Sequence, residues 1–266
     1  MNAPTMHHPQ PPSGLSLPPF ARDWALFLDV DGTLLDVADR PDAVRCEPDL
    51  PSVLVRLQTF LSGALALISG RSIAFLDDVL GLPGLCMAGQ HGAERRDARG
   101  QSVLHSPRSP ALAEILPGLM QLVERHPGLL IEDKGLGLAL HFRLAPQHEM
   151  LAFDAMRSAL GVLGPGFELQ AGKMVFELKS RGRDKAAAIA AFLGEPPFLG
   201  RRAVFVGDDE TDETGFAEVN RRQGYSVKVG PGPSVARYRL GDACAVRGWL
   251  RGIANAQTGD AGEHSP

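Results

Sequence analysis

Ala25-Leu26-Phe27-Leu28-Asp29-Val30-Asp31-Gly32-Thr33 is the stretch on which the reading of this chain turns. An apolar run that halts at two carboxylates reads as a buried strand whose end opens on a reactive mouth. Gly32 and Thr33 then turn the chain away. Asp-Gly and Gly-Thr are also ordinary turn pairs, but a buried strand end seldom carries two charges without a ligand to neutralise them. The two carboxylates can divide the work. Asp29 is the candidate nucleophile, able to attack a phosphoryl group. Asp31 is the candidate acid and base, protonating a leaving oxygen and then deprotonating water.

Outward from this stretch the pattern alternates. Short apolar runs at 25–30, 64–69, 85–89, 203–208 and 225–229 are interleaved with helical patterns at 48–62, 71–80, 184–194 and 211–222. That alternation predicts an α/β fold, a doubly wound parallel sheet with helices on both faces. In such a sheet the ligand site lies beyond the carboxyl ends of the strands. The polar residues following the runs are Asp29/Asp31, Ser69-Gly70-Arg71, Gln90-His91 and Asp208-Asp209, so four strand ends point toward one edge. Residues 98–177 read differently. Closely spaced strand patterns at 129–133, 137–143, 166–170 and 174–178 accompany helical patterns at 109–125 and 147–160. This predicts a smaller inserted α+β cap, an antiparallel sheet with helices on one face. The expected organisation is a disordered Pro-rich leader over 1–20, a core formed by 21–97 and 178–252, the cap, and a flexible tail over 253–266.

Three further groups could complete the chemistry. Ser69 ends a strand pattern where a hydroxyl and free backbone N–H groups suit a phosphate oxygen, or it simply caps the following helix. Arg71 binds substrate or lies on the surface. Lys185 opens a helical pattern, where a cation could hold a phosphoryl group, or where a lysine is merely solvated. In Gly207-Asp208-Asp209-Glu210-Thr211-Asp212-Glu213, five of the six residues from 208 to 213 are acidic. A helix N-terminus tolerates such dressing. Packed like charges nevertheless call for a positive partner, and Mg²⁺ with oxygen ligands beside a phosphate fits.

Asp29-x-Asp31, Ser69, Lys185 and Asp208-Asp209 occur in the order of the four motifs of haloacid-dehalogenase-like (HAD) phosphatases, and the chain resembles that superfamily with a C2-type cap. Residues 207–213 also resemble the Gly-Asp-Asp-x-Thr-Asp-Glu segment of trehalose-6-phosphate phosphatases. So do Gly89-Gln90-His91-Gly92-Ala93-Glu94, Glu132-Asp133-Lys134, His141-Phe142-Arg143 and Gly172-Lys173-Met174-Val175-Phe176-Glu177, over about residues 24–250. The resemblance implies Mg²⁺ on Asp29, the backbone carbonyl of Asp31 and Asp208, with Asp209 and Asp212 in the metal site and Asp212 supporting metal waters. Ser69 and Lys185 are then expected on the phosphoryl group. Gln90, His91, Glu132, Lys134 and Glu177 are expected on the sugar, with Arg71 and Gly92 among the substrate-binding residues. Glu132 and Lys134 could equally form an exposed cross-strand pair, and His91 a satisfied turn residue. The implied activity is Mg²⁺-dependent hydrolysis of trehalose 6-phosphate through an aspartyl-phosphate. Rival readings are a phosphatase of sucrose 6-phosphate or a glycosyl phosphoglycerate, a receiver-like phospho-acceptor domain, and a phosphosugar sensor.

Bulk properties are compatible with this. The 266 residues are 44% hydrophobic and 22% charged, as in a soluble globular enzyme, and can bury a large core. A net charge of −4 offers no nucleic-acid footprint. No apolar run approaches the roughly 20 residues of a membrane helix. Cys46, Cys86 and Cys244 lack metal-ligand spacing and are expected as buried free thiols in a reducing cytoplasm. No export signal is expected, nor a metal role for His7 and His8 in the leader. The expected partner is a small-molecule sugar phosphate; oligomeric state is not legible, and a monomer is compatible with the sequence.

Overall fold

The run at 25–28 forms the centre of the molecule. The computed structural model describes residues 17–38, 40, 43–105 and 108–259. In chain order the first elements are β1 (Trp24–Leu28), α1 (Leu50–Phe60), β2 (Leu65–Ile68), α2 (Ile73–Leu80), β3 (Cys86–Gly89), β4 (Glu94–Arg96) and β5 (Ser102–Leu104). The middle of the chain contains α3 (Pro110–Arg125), β6 (Leu130–Asp133), β7 (Leu138–His141), α4 (Glu149–Leu163), β8 (Phe167–Gly172) and β9 (Val175–Ser180). The last third adds α5 (Lys185–Leu193), β10 (Arg202–Gly207), α6 (Glu213–Arg221), β11 (Tyr225–Val229), β12 (Tyr238–Leu240) and α7 (Ala243–Gly259).

Two sheets result. An eight-stranded sheet runs β12-β11-β10-β1-β2-β3-β4-β5, parallel from β12 to β3 and antiparallel at β4 and β5. Every residue of β1 and β2 is buried, as strands covered on both faces require. Leu28 pairs with Val206 on one side and Leu67 on the other. The residues that follow, Asp29, Asp208 and Ser69, therefore emerge at one edge. The second sheet, β6-β7-β9-β8, is antiparallel throughout. Its period-2 alternation sorts two faces. Leu138, Leu140, Phe142, Phe176 and Leu178 join Leu112, Ala152 and Met156 of α3 and α4 in an apolar cluster separate from that of the large sheet. The opposite face is polar, and the register aligns Glu132, Ala139, Glu177 and Gln170 in one row across the four strands.

Several expected boundaries move. The hairpin of β4 and β5 belongs to the large sheet, so a cap beginning at 98 would split it. Its Glu-Arg-Arg sequence carries no strand signal; cross-strand pairing holds it, together with buried Arg96, which donates to both Asp77 carboxylate oxygens at 2.7 and 2.8 Å, and Arg95, which pairs with Glu195. The expected cap end at 177 falls inside β9, which continues to Ser180. Residues 253–259 are not a loose tail: α7 runs to Gly259, with Val246, Leu250, Ile253 and Ala254 at helical spacing buried in the core. Residues 17–20, expected in the leader, are not loose: Leu17 and Phe20 pack against the core and Phe20 meets Trp24 edge-on at 5.4 Å. Residues 1–16, with His7 and His8, and residues 260–266 lie outside the described set. Of the cysteines, Cys86 is buried, its thiol pushed up to about 11 by burial, Cys46 is half-buried and Cys244 is exposed. Among the described residues no helix is long and apolar enough to cross a membrane.

Candidate active site

Lys185 is the pivot of the strand-end edge. The side chain of Asp184 accepts the Ala187 N–H at 2.8 Å and starts α5 at Lys185. The buried Lys185 Nζ then donates to Asp29 Oδ1 and Asp212 Oδ1, both at 2.6 Å. Asp212 is fully buried, and its other oxygen accepts the N–H groups of Asp208 and Asp209, each at 2.9 Å. Two glycines make this density possible. A Cβ on Gly32, whose φ is +81°, would stand 2.2 Å from the Asp208 carboxylate. A Cβ on Gly207 would stand 2.3 Å from that of Asp212.

Carboxylate oxygens of Asp29, Asp208 and Asp212 lie within 4.8 Å of one another. Burial first, then Asp212, push Asp29 well above the usual carboxylate range against the pull of Lys185. Burial, Asp212 and Asp209 push Asp208 up to about 6. Lys185 itself is held charged despite its burial, because Asp212 and Asp29 outweigh the cost. Crowded anionic oxygens whose ionisation is resisted suit a hard divalent cation. Asp209 stands outside this cluster, since its side chain accepts the Glu210 N–H at 2.7 Å and caps the 3-10 turn Glu210–Asp212. Asp31 is gripped by Arg71, which donates from Nε at 2.8 Å and Nη2 at 2.9 Å, with its guanidinium 4.5 Å from the Phe75 ring centroid. Burial opposes the Arg71 charge and Asp31 more than restores it. Ser69 Oγ accepts the Arg71 N–H at 3.0 Å, and the cap of α2 is instead Ser72, which accepts from Phe75 N–H.

The polar face of the second sheet closes over this edge. One cavity is lined by Asp29, Asp31, Arg71, Lys185, Asp208 and Asp209 below and by Glu132, Lys134, His141, Gln170, Lys173 and Glu177 above. Lys134 Nζ donates to Glu177 Oε2 at 2.7 Å, and His91 Nε2 lies 3.3 Å from the same oxygen. Burial acts to raise the Glu177 carboxyl, yet Lys134 and His91 hold it well below the usual range. Burial depresses His91 and favours its neutral ring. Glu132 pairs with His141 at 2.9 Å.

The trehalose-phosphatase family model matches residues 27–242. A probable trehalose-phosphate phosphatase of Sinorhizobium fredii is 45% identical over 236 residues, 87% of this chain and 88% of the relative. The trehalose-6-phosphate phosphatase of Escherichia coli is 44% identical over 240 residues, 90% of each. The crystal structure of a trehalose-6-phosphate phosphatase related protein superposes with a TM-score of 0.76 at 27% identity, over 88% of this chain and 99% of that one. The chain belongs to the trehalose-phosphatase family, on a HAD-like fold.

As a member of the trehalose-phosphatase family, the chain brings most of the expected site residues to one cavity. Ser69, Gln90, Gly92 and Asp212 are not on its wall. Gly92 backs onto α5, where a Cβ would meet Ala188 at 3.3 Å. The Gln90 side chain is engaged by Leu136 N–H and by Glu94. His141, Arg143, Lys173 and Thr211, which the sequence singled out only within resembling stretches and without a site role, line the cavity with Gln170, which it did not single out. Nor did it single out Lys228, whose Nζ donates to the Asp208 carbonyl. Alternation was the available signal for the cap residues: 141/143, 170/172 and 175/177 share the face of 132/134. For Lys228 it was a lysine set between Val227 and Val229 in a buried strand.

Proposed function

We propose that this chain hydrolyses trehalose 6-phosphate to trehalose and inorganic phosphate, with Mg²⁺ as cofactor. The observation that carries the reading is the shared cavity, in which Asp29 and Asp31 face a wall of charged and amide groups from the second sheet. A disaccharide offers many hydroxyls, and such groups each satisfy two or more of them. Asp29, Asp208 and the Asp31 carbonyl, with Asp212 behind them, would hold Mg²⁺, which would supply positive charge against the phosphoryl oxygens.

The protein residues then divide the steps. Asp29 attacks phosphorus and forms an aspartyl-phosphate as the bond from phosphorus to the sugar oxygen breaks. Asp31 pairs with Arg71 through both oxygens in the resting site, so it takes up a proton and turns one oxygen from Arg71 before giving that proton to the sugar oxygen. It then takes a proton from the water that attacks the phosphorus of the aspartyl-phosphate, which releases phosphate and restores Asp29. Lys185 holds Asp29 in line and offsets charge on the transferring group. Glu132, Lys134 and Glu177 bind the sugar, and His91 holds Glu177 in place. The second sheet excludes water during the first step.

The test is phosphate release from a panel of sugar phosphates with Mg²⁺ and with EDTA, using Asp29→Asn as the inactive control. Strong Mg²⁺-dependent release confined to trehalose 6-phosphate is expected. Equal release from sucrose 6-phosphate or a glycosyl phosphoglycerate would remove the substrate assignment. Release from no member would favour a receiver-like or sensing role.

A further inference from the structure

Gln90, His91 and Gly92 have φ values of +48°, +56° and +91°, a left-handed run that side-chain-bearing residues avoid. Backbone bonds hold it: Gln90 N–H donates to Arg71 O at 2.9 Å and His91 N–H to Ser69 O at 3.0 Å. The run aims the Gln90 side chain across the cleft rather than into the cavity. Gln90 Oε1 accepts the Leu136 N–H at 3.0 Å, and Nε2 donates to Glu94 Oε1 at 3.2 Å. That same Glu94 oxygen accepts the Ile73 N–H at the start of α2, at 2.8 Å.

Leu136 sits in the turn that joins β6 to β7, two residues after Lys134. The Lys134 N–H donates to Gly137 O at 3.1 Å and the Gly135 N–H to Asp133 Oδ1 at 2.8 Å, both within the turn. The Leu136 N–H takes its acceptor from the core. Leu136 and Gln90 are both buried, so neither polar group has water as a substitute. The turn has little room to shift, since a Cβ on Gly137 would stand 2.4 Å from Leu178 O. The cap turn that carries Lys134 is therefore hung from the strand end that carries His91, and Lys134 and His91 meet again at Glu177.

Taking the sugar-phosphate reading above as its basis, we infer that Gln90, braced by Glu94, is a positioning residue that sets Lys134 over the cavity and does not itself bind the sugar. Such a strut matters to a substrate that needs the second sheet and not to one that lacks a sugar.

Gln90→Met keeps the side-chain volume and removes both bonds. For trehalose 6-phosphate its KM rises about five- to tenfold, the size of one lost buried hydrogen bond, with kcat changed by less than about twofold. For p-nitrophenyl phosphate kcat/KM stays within about twofold, and in a Lys134→Ala background Gln90→Met adds less than about twofold, because the route to the sugar is already gone. An equal loss on both substrates, an additive loss in the Lys134→Ala background, or an unchanged KM overturns the inference. If the wild type turns over p-nitrophenyl phosphate but not trehalose 6-phosphate, the substrate reading fails on its own. The strut is then decided by hydrogen exchange: the Leu136 amide exchanges at least about tenfold faster in Gln90→Met, whereas equal rates refute it. If Gln90→Met does not fold, Gln90→Asn takes its place with the same expectations, since asparagine accepts the left-handed backbone but falls one methylene short.

Discussion

Replacing Lys185 with methionine leaves Asp29 and Asp212 facing each other in a buried site with no cation between them. The lysine, Asp29 and Asp212 side chains are 3%, 6% and 0% exposed, so solvent screens none of the loss. Two charge-assisted hydrogen bonds at about 1.5–3 kcal/mol each set the scale. Removal of one partner from a buried ion pair costs about 3–5 kcal/mol. We expect a loss of about 4 kcal/mol in the metal-free protein at pH 8, or a fall in Tm of roughly 8–16 °C for a chain of this size. Asp29 already stands above its unfolded value, by burial first and Asp212 next, and Lys185 is the cation that pulls it down. A carboxyl whose folded pKa exceeds its unfolded value stabilises the fold when protonated. The deficit of Lys185→Met relative to wild type therefore shrinks as pH falls from 8 to 5. Thermal unfolding in EDTA at the two pH values reads this directly. Equal Tm values at pH 8, or a deficit indifferent to pH, would refute the buried triad of Asp29, Lys185 and Asp212.

Glu132→Ala or Lys134→Ala should cut kcat/KM for trehalose 6-phosphate at least about tenfold, the scale of one charge-assisted hydrogen bond in a half-buried wall, while p-nitrophenyl phosphate turnover changes much less; parallel losses would dismiss sugar recognition by these residues. Gly32→Ala forces a side chain into a left-handed backbone at about 1–2 kcal/mol and into the Asp208 carboxylate. The Mg²⁺ concentration for half-maximal activity should rise, and an unchanged Mg²⁺ titration would count against Asp208 as a ligand. Asp208, pushed up to about 6 from an unfolded value of 3.8, lowers the stability of the metal-free protein as pH rises through that window. Saturating Mg²⁺ binds the ionised form, so it should raise Tm more at pH 7.5 than at pH 5. An equal rise at both would separate Mg²⁺ binding from this carboxylate.

Strand ends were the legible part of the site. Asp29, Lys185 and Asp208 follow or precede strong local patterns, so residue type and position alone mark them as site candidates. The acidic run at 208–213 was legible as a group but not residue by residue. Asp209 and Asp212 share a side chain, yet one caps a turn in the half-exposed mouth and the other is buried under Lys185. Only the approach of α5 separates them.

Local sequence determined the alternation of apolar runs and helices, the inserted antiparallel unit, and which carboxylates stand at strand ends, because each follows from hydrophobic period and chain direction. Tertiary structure alone decided the rest. The β4–β5 hairpin, β12 and the last turns of α7 exist because neighbours pair with them or cover them. Gln90 turns from the cavity because a left-handed backbone, held by Arg71 and Ser69 carbonyls, aims its amide at Leu136. The same amide could serve a sugar or a peptide N–H, and no pattern along one chain distinguishes two partners of identical hydrogen-bonding chemistry.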